Sequence, residues 1–441
     1  MTMKPKQLLA AIALALAAVP AAAADLLTTY RDALVSDPVF QAQRSQRNAT
    51  IERLPQARSQ YLPFVSGSAS VFHNYTSRSG AADYDYTTQG ASVSLSQPIF
   101  RLPNWIAISQ AEKVVIQADA RLADANQDLI LRVSQAYFDV LLAQDTVVLS
   151  NAQKEAFSQQ LAQAKRNFEV GTATIVDTLE AQARYDQTVA QEIVNLNDLE
   201  VKRRALEQLV GKPIDGIVPL KEPLALITPE PNNIDAWTKA AEDSSLSILA
   251  AQAFSEAAKQ EVDRAKAGYL PTLDFSATYG VARDPSGVRG LDGISPNGRA
   301  GAVGLVLGVP IFEGGLTTSR VREAVALRDK ADQDLENTRR SVVQLTRTQF
   351  LNVTNGIAAV QAIERAVAST QSQLDSTVLG RDVGVRTSVD VLNAQQQVFS
   401  ARRDLQASRY LYLMNTLRLK AASGRLTEPD LEAVNRTLGR N

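Results

Sequence analysis

Between Asn104 and Phe168 the chain contains neither proline nor glycine, and apolar residues return every three or four positions: Leu122, Ala125, Leu129, Val133, Ala136, Val140, Ala143 and Val147. That spacing puts them on one stripe of a helix, with the periodicity of a coiled coil. At 1.5 Å per residue the tract would be about 98 Å long. A second tract, Leu316 to Leu379, is interrupted only by Gly356 and carries Val360, Ile363, Val367, Thr370 and Leu374 in phase. Many stripe positions are alanine, which lets helices approach closely. The other faces carry Gln, Asn, Asp, Arg and Lys, a pattern that an ordinary solvent-exposed helical rod would also show. Gly171 and Gly384 end these tracts as glycines at the position after a helix. New helices start at once and run to about Val210 and Ala422. Each tract is therefore one arm of a helical hairpin, 104–210 and 316–422.

Upstream of each hairpin the period changes to two. Leu273, Phe275, Ala277, Tyr279 and Val281 alternate with Thr272, Asp274, Ser276, Thr278 and Gly280. Ala91, Val93 and Leu95 alternate with Ser92, Ser94 and Ser96, and Val303, Leu305, Leu307 and Val309 follow suit, with Val306 breaking the rule on the other face. Four strands are expected, at about 62–74, 90–100, 270–282 and 299–312. One apolar and one small polar face fits a hairpin on a soluble sheet. It also fits a transmembrane strand, which needs 9–11 tilted residues. Four strands cannot close a barrel, because the smallest have eight. Membrane strands would therefore force oligomerisation, with eight strands from two chains or twelve from three, and the wider barrel leaves a passage. Residues 26–58 read as one leading helix, with Pro38 early and Pro55 near its end. Residues 245–268 read as its counterpart.

The chain is written twice. Tyr61-Leu62-Pro63 recurs at Tyr269-Leu270-Pro271, an offset of 269 − 61 = 208. Pro98-Ile99-Phe100 recurs at Pro310-Ile311-Phe312, 310 − 98 = 212 later. Val170-Gly171 through Asp177 and Gln182 recurs at Val383-Gly384 through Asp390 and Gln395, 383 − 170 = 213 later. Three ordered motifs at nearly constant spacing indicate one duplication, with a period far above that of solenoid repeats. The halves are 25–210 and 245–422. Residues 211–244 hold Pro213, Pro219, Pro223, Pro229 and Pro231 and form the connector. The C-terminal segment 423–441 occupies the equivalent place after the second half.

Composition narrows the function. There is no cysteine and a single histidine, His73, among 441 residues, so thiolate chemistry, disulfides and multi-histidine metal sites are excluded. No GxGxxG, P-loop or GxSxG motif occurs, and no carboxylate pair stands out. The reading is of a non-enzyme that needs no cofactor and no metal. Lys+Arg 46 against Asp+Glu 47 gives no basic patch that would call for nucleic acid. Residues 1–24 read as a secretory signal peptide: Lys4 and Lys6, an apolar run from Leu8 to Val19, and Ala22-Ala23-Ala24 before Asp25. No second long apolar run follows. The mature chain would be periplasmic, secreted, or a β-barrel of an outer membrane.

With signal peptide, duplicated helix–hairpin–long helix–helix halves, YLP before strands and PIF after them, the chain resembles the TolC family of outer-membrane channels. The most specific matching pieces are Val170–Gln182, Val383–Gln395 and Pro310–Gly315. The resemblance implies a mainly α fold with a membrane β-barrel portion: a homotrimer whose 12-strand β-barrel continues into a periplasmic α-helical barrel. It implies docking to a periplasmic adaptor and an inner-membrane transporter, for efflux of small molecules or type I protein secretion. Pro63, Pro98, Pro271 and Pro310 fit strand-to-helix corners, since proline lacks the ladder N–H. The resemblance puts adaptor docking at the turns Gly171, Thr172, Gly384 and Val385. It puts the closed periplasmic end at Asp390, Arg386 and Asp177, with an Arg386–Asp177 link and a threefold Asp390 ring. Two positions depart from the family pattern. Asn393 stands where a second acidic ring is expected, and Arg381 where an aromatic residue is expected, so closure by pairs such as Arg381–Asp177 is an alternative. Thr174-x-x-Asp177 and Thr387-x-x-Asp390 also read simply as helix capping boxes. His73 reads as a surface or headgroup-level residue. Phe72, Tyr75, Tyr84, Tyr86, Phe275 and Tyr279 suit interfacial girdles, with Tyr84 and Tyr86 equally suited to a loop. A periplasmic coiled-coil adaptor or scaffold would share the helical hairpins but not the strand pairs between them.

Overall fold

The structure is a computed structural model that describes residues 24–77, 79–80, 84–283 and 297–439. The signal segment lies outside these residues except for Ala24. Ala24 N donates to the Gly216 carbonyl at 2.8 Å, so this residue is built into the fold.

The leading segment is three helices rather than one: α1 (Leu26–Ser36), α2 (Pro38–Ile51) and α3 (Arg53–Ser59). Proline disfavours helical geometry in the residue before it. Asp37 accordingly sits at ψ 116°, and its carboxylate accepts the Phe40 N–H at 2.8 Å. Pro38 thus opens a helix instead of sitting inside one. Strands β1 (Phe64–Thr76) and β2 (Tyr84–Phe100) follow, then α4 (Leu102–Glu169) and α5 (Ile175–Val210). The connector ends in a helix that the proline count concealed, α6 (Ile234–Ser244). The second half runs α7 (Leu246–Lys266), β3 (Thr272–Arg283), β4 (Asn297–Gly308), α8 (Leu316–Asp382) and α9 (Ser388–Ala422), with α10 (Glu428–Asn435) near the end. No helix among the described residues is long and apolar enough to cross a membrane.

Two compact units form, and they do not coincide with the two sequence repeats. One takes in the described residues of Met1–Gln43, Ala123–Ser245 and Arg340–Asn441; the other takes in Arg44–Leu122 and Leu246–Arg339. The first unit has the larger core. Leu129, Ile130, Val133, Tyr137, Phe138 and Leu141 of α4 are buried there, as are Leu26, Leu206, Leu417 and Leu431. Its connector and C-terminal segment bind one another: Lys221 N donates to the Thr437 carbonyl at 2.9 Å, and Gly439 N to that of Pro219 at 2.9 Å. The Tyr137 hydroxyl fastens the connector to the N-terminus: it accepts the Val218 N–H at 3.0 Å and lies 3.1 Å from the Ala24 carbonyl, to which it can donate. Burial pushes its phenol well above the ordinary value.

The second unit packs its helices through alanine. Ala111 and Ala120 of α4, Ala250, Ala253 and Ala257 of α7, and Ala324 and Ala331 of α8 are all buried. Such small side chains let polar groups reach across: Gln110 bonds Glu261 at 3.0 Å, and Ser255 bonds Asp332 at 2.6 Å. Above these helices the four strands form one antiparallel sheet in the order β1-β2-β3-β4.

Candidate functional site

The sheet has two chemically distinct faces. Register places Val65 opposite Leu95, Val93 opposite Tyr279, and Phe275 opposite Leu305, so one face is apolar across all four strands. The other face is mainly small and polar, with Phe64, Phe72 and Val306 as exceptions. Ser66 and Ser94 are hydrogen-bonded across it at 2.8 Å, as are Ser68 and Ser92. The large apolar residues Val65, Val93, Tyr279, Val303 and Leu305 are exposed in the single chain. From Leu273 to Val281 the apolar face runs about 27 Å along the strand, which matches the lipid-facing band of a membrane barrel. Among the described residues, strands β1 and β4 each leave one edge without a partner.

The strand ends differ from the sequence expectation. Tyr84 and Tyr86 belong to β2, paired with Thr76 and Asn74, and not to a loop. His73 stays exposed on β1, with its Nδ1 3.2 Å from the Thr87 hydroxyl and its Nε2 3.5 Å from Asp85. Pro63 and Pro271 immediately precede β1 and β3, as corners do. Pro98 instead lies inside β2, at a register shift that leaves Ile99 bulged, and Pro310 lies beyond the end of β4. Where β2 ends, the Arg101 guanidinium grips both Asp274 oxygens at 2.8 and 2.6 Å.

The helix turns lie in the other unit and are built alike. Gly171 and Gly384 adopt φ +79° and +78°, the left-handed geometry that only glycine takes without strain. Thr172 N and Ala173 N donate to the Asn167 carbonyl, and Val385 N and Arg386 N donate to that of Gly380. Both capping boxes are complete. Asp177 accepts the Thr174 N–H at 2.9 Å, and Asp390 accepts the Thr387 N–H at 2.9 Å. The Thr387 backbone and hydroxyl bonds, with the nearby Arg386 charge, hold the Asp390 carboxyl below the ordinary carboxylate value.

Within the chain the sequence-predicted charge links are not made. Among the described residues no ion pair joins Arg386 or Arg381 to Asp177. Arg381 pairs with its neighbour Asp382 at 2.7 Å and reaches Gln160 at 3.5 Å. Asn393 has a partner that sequence reasoning missed: it accepts from Arg184 at 3.0 Å, while Arg184 also pairs with Glu180 at 3.2 Å. The i,i+4 spacing of Glu180 and Arg184 was the available signal. Asn393 and Glu180 are equivalent positions of the two repeats, so one arginine ties α5 to α9. Below it, Phe157, Leu161 and Ala164 of α4, Ala181 of α5 and Leu392 of α9 form a buried cluster.

The sequence matches the family described as outer membrane efflux protein over residues 29–212 and 237–425. The chain belongs to that family. Membership places it in the outer membrane. The chain is 35% identical to outer membrane protein TolC of Escherichia coli strain K12 over 427 residues, 95% of this chain and 86% of the relative. It is 32% identical to the alkaline protease secretion protein AprF of Pseudomonas aeruginosa, over 93% of this chain and 86% of that one. The fold is shared with the outer membrane protein VceC of Vibrio cholerae (TM-score 0.76, 20% identity, 90% and 96% of the two chains). It is also shared with the open state of the Neisseria gonorrhoeae channel MtrE (TM-score 0.73, 17% identity, 92% and 90%). A mainly helical channel fold with a membrane β portion is therefore established for this family member, and the coiled-coil scaffold reading is not favoured.

Proposed function

We propose that three copies of the chain close a 12-strand barrel in the outer membrane and form an exit duct, served from the periplasm by an adaptor and an inner-membrane transporter. The carrying observation is the sheet: an apolar face, a polar face and two open edges. Unpaired strand edges are not tolerated in lipid. The two repeats, 25–210 and 245–422, with the connector 211–244 and the segment 423–441, would each supply half of one protomer's wall. Similarity to AprF, named for protease secretion, supports type I protein secretion as one use and leaves small-molecule efflux as the other. Mass measurement of the detergent-solubilised protein tests the assembly, with a trimer expected; a folded monomer in the membrane overturns it.

In this reading the turns face the adaptor and the gate. Val170, Val383 and Val385 are exposed beside Gly171, Thr172 and Gly384, as a docking surface requires. Cysteine placed there should crosslink to an adaptor hairpin, and labelling from the cell exterior would contradict the topology. Asp390 would recur three times around the axis, where gathered carboxylates attract cations. Asn393, engaged with Arg184, would add no second acidic ring. Since Arg386 and Asp177 do not meet within one chain, their link would have to join neighbouring protomers, as would Arg381–Asp177. Arg386→Ser with Asp177→Ala should raise single-channel conductance in planar bilayers, and Asp390→Ala should reduce cation preference. Unchanged values in both would leave Asp177 and Asp390 as helix caps alone.

A further inference from the structure

The internal duplication specifies how the two open sheet edges meet. Adding 208 residues to β1 and 212 to β2, the offsets of the YLP and PIF motifs, converts their pairing into that of β3 and β4. Phe64↔Ser96 becomes Thr272↔Gly308, Val65↔Leu95 becomes Leu273↔Leu307, and Tyr75↔Asp85 becomes Arg283↔Asn297, all of them observed pairs. The hairpin register is thus repeated residue for residue. The remaining seam within the chain joins β2 to β3, with Leu95↔Ala277, Ser94↔Thr278 and Val93↔Tyr279. Closing a barrel fixes its overall stagger, and a barrel that keeps the sixfold pseudo-symmetry of its repeated hairpins has the same stagger at every seam. The β2–β3 seam is therefore a template for the β4 edge meeting the β1 edge of another copy.

Resting on the trimeric reading above, we infer that β4 pairs with β1 of the neighbouring subunit in one register, with Val306 opposite Ser70 of the partner subunit and Leu305 opposite Val71 of the partner subunit, and that residues 309–312 become strand on assembly. Two independent observations support it. The first is side-chain size. The same shift places Gly304 opposite Phe72 of the partner subunit and Gly301 opposite Tyr75 of the partner subunit. Glycine in a strand marks such close approaches, and this strand already uses one: a Cβ on Gly301 would lie 3.3 Å from the Tyr279 ring opposite it. Beside Gly304 nothing lies within 4 Å, so that space is open. A slip of two residues keeps the faces but sets Phe72 of the partner subunit against Ala302 or Val306.

The second observation is the PIF motif itself. Its first copy is held by β3, with Pro98 opposite Asp274 and Phe100 opposite Leu273, and Ile99 and Phe100 are 48% and 43% exposed. The second copy has no strand beside it, and Ile311 and Phe312 are 94% and 86% exposed. The same tripeptide is thus strand where a partner strand lies beside it and is not strand where none does. In the inferred register Phe312 meets Val65 of the partner subunit. The corner latch is not reproduced: the Arg101–Asp274 pair maps onto Glu313 and Ser66 of the partner subunit, a carboxylate facing a hydroxyl. The seam between subunits therefore lacks the ion pair that fastens the seam within one.

Because the natural chain has no cysteine, disulfide trapping reads the register directly. Val306→Cys with Ser70→Cys should give covalently linked subunits under mild oxidation, at least about tenfold faster than Val306→Cys with Ser68→Cys or with Phe72→Cys, since the Cα separation for a disulfide is limited to about 4.4–6.8 Å. A second pair on the opposite face, Val303→Cys with His73→Cys, gives the same reading if the first disturbs assembly. A trimer by mass that crosslinks fastest in a shifted pair, or in neither matched pair, overturns the register and leaves the duct standing. Absence of a trimer in the unsubstituted protein overturns the duct, and the inference with it.

Discussion

Leu392 and Leu179 hold equivalent places in the two repeats, each two residues after a capping aspartate. Leu392 is 2% exposed, inside the cluster with Phe157, Leu161 and Ala181; Leu179 is 61% exposed. Nothing local explains this. The turns that precede them share glycine φ, capping boxes and carbonyl partners. The difference lies in what stands opposite. Helix α9 lies against α4 and α5 of the first repeat and buries Leu392 there, whereas Leu179 on α5 stays exposed in the single chain. Duplication repeated the backbone but not the packing around it. The sheet repeats the lesson, since β2 and β3 are paired within the chain while, among the described residues, β1 and β4 keep open edges.

The strongest way to break this comparison is Leu392→Ala. Removal of a buried leucine side chain costs about 2–5 kcal/mol, and should appear as a lower urea midpoint by circular dichroism. Leu179→Ala should move that midpoint little while loosening the trimer in native mass measurements. Equal effects of the two on chain unfolding would mean that the repeats are not distinguished by packing.

Next in size are the two turns, where the comparison predicts equality. Gly171→Val and Gly384→Val force a β-branched residue into left-handed geometry, at roughly 1–2 kcal/mol each. Nothing lies within 4 Å of a Cβ at either site, so backbone strain is the whole cost. Losses differing by more than a factor of two would show that one turn is held by something beyond its own backbone.

Removing the cap hydroxyls is smaller again. Thr174→Ala and Thr387→Ala should each cost about 1 kcal/mol, seen as faster amide exchange in the first turns of α5 and α9. Asp390 gives the finest distinction. Its carboxyl is held below the ordinary value, so its contribution is fully present above the unfolded-state carboxylate value and is lost as pH falls through the lowered one. Asp390→Asn should therefore destabilise the start of α9 at pH 7 and have no effect in strong acid. An effect of the same size at both would assign the cap to the Thr387 hydroxyl alone.

The starts of α5 and α9 were legible, because a glycine after the preceding helix and a Thr-x-x-Asp box are local chemistry acting over one turn. The alternation of β3 was equally plain. The leading helix was misread at Pro38, where one hydrogen bond from the Phe40 amide to Asp37 turns an interruption into a new beginning. The helix α6 was hidden by the prolines before it. The Thr-x-x-Asp motif gave Asp177 and Asp390 as helix caps and the family resemblance put them in the candidate gate, but the partners of Arg381 and Asn393 were not legible, since long side chains choose among acceptors by distance in three dimensions.

By itself the sequence determined the four strands, the long helices and their returning partners, the order of these elements, the duplication and the two-faced strands. These follow from periods of 3.6 and 2 and from residues that start or stop a helix, and each signal spans only a few positions. Only the tertiary structure decided which of two equal leucines is buried, that β2 joins β3, and that Arg184 spans from Glu180 to Asn393. Those outcomes depend on surfaces brought together from more than a hundred residues apart, where burial and edge pairing are won by whichever element arrives opposite and no local code records the choice.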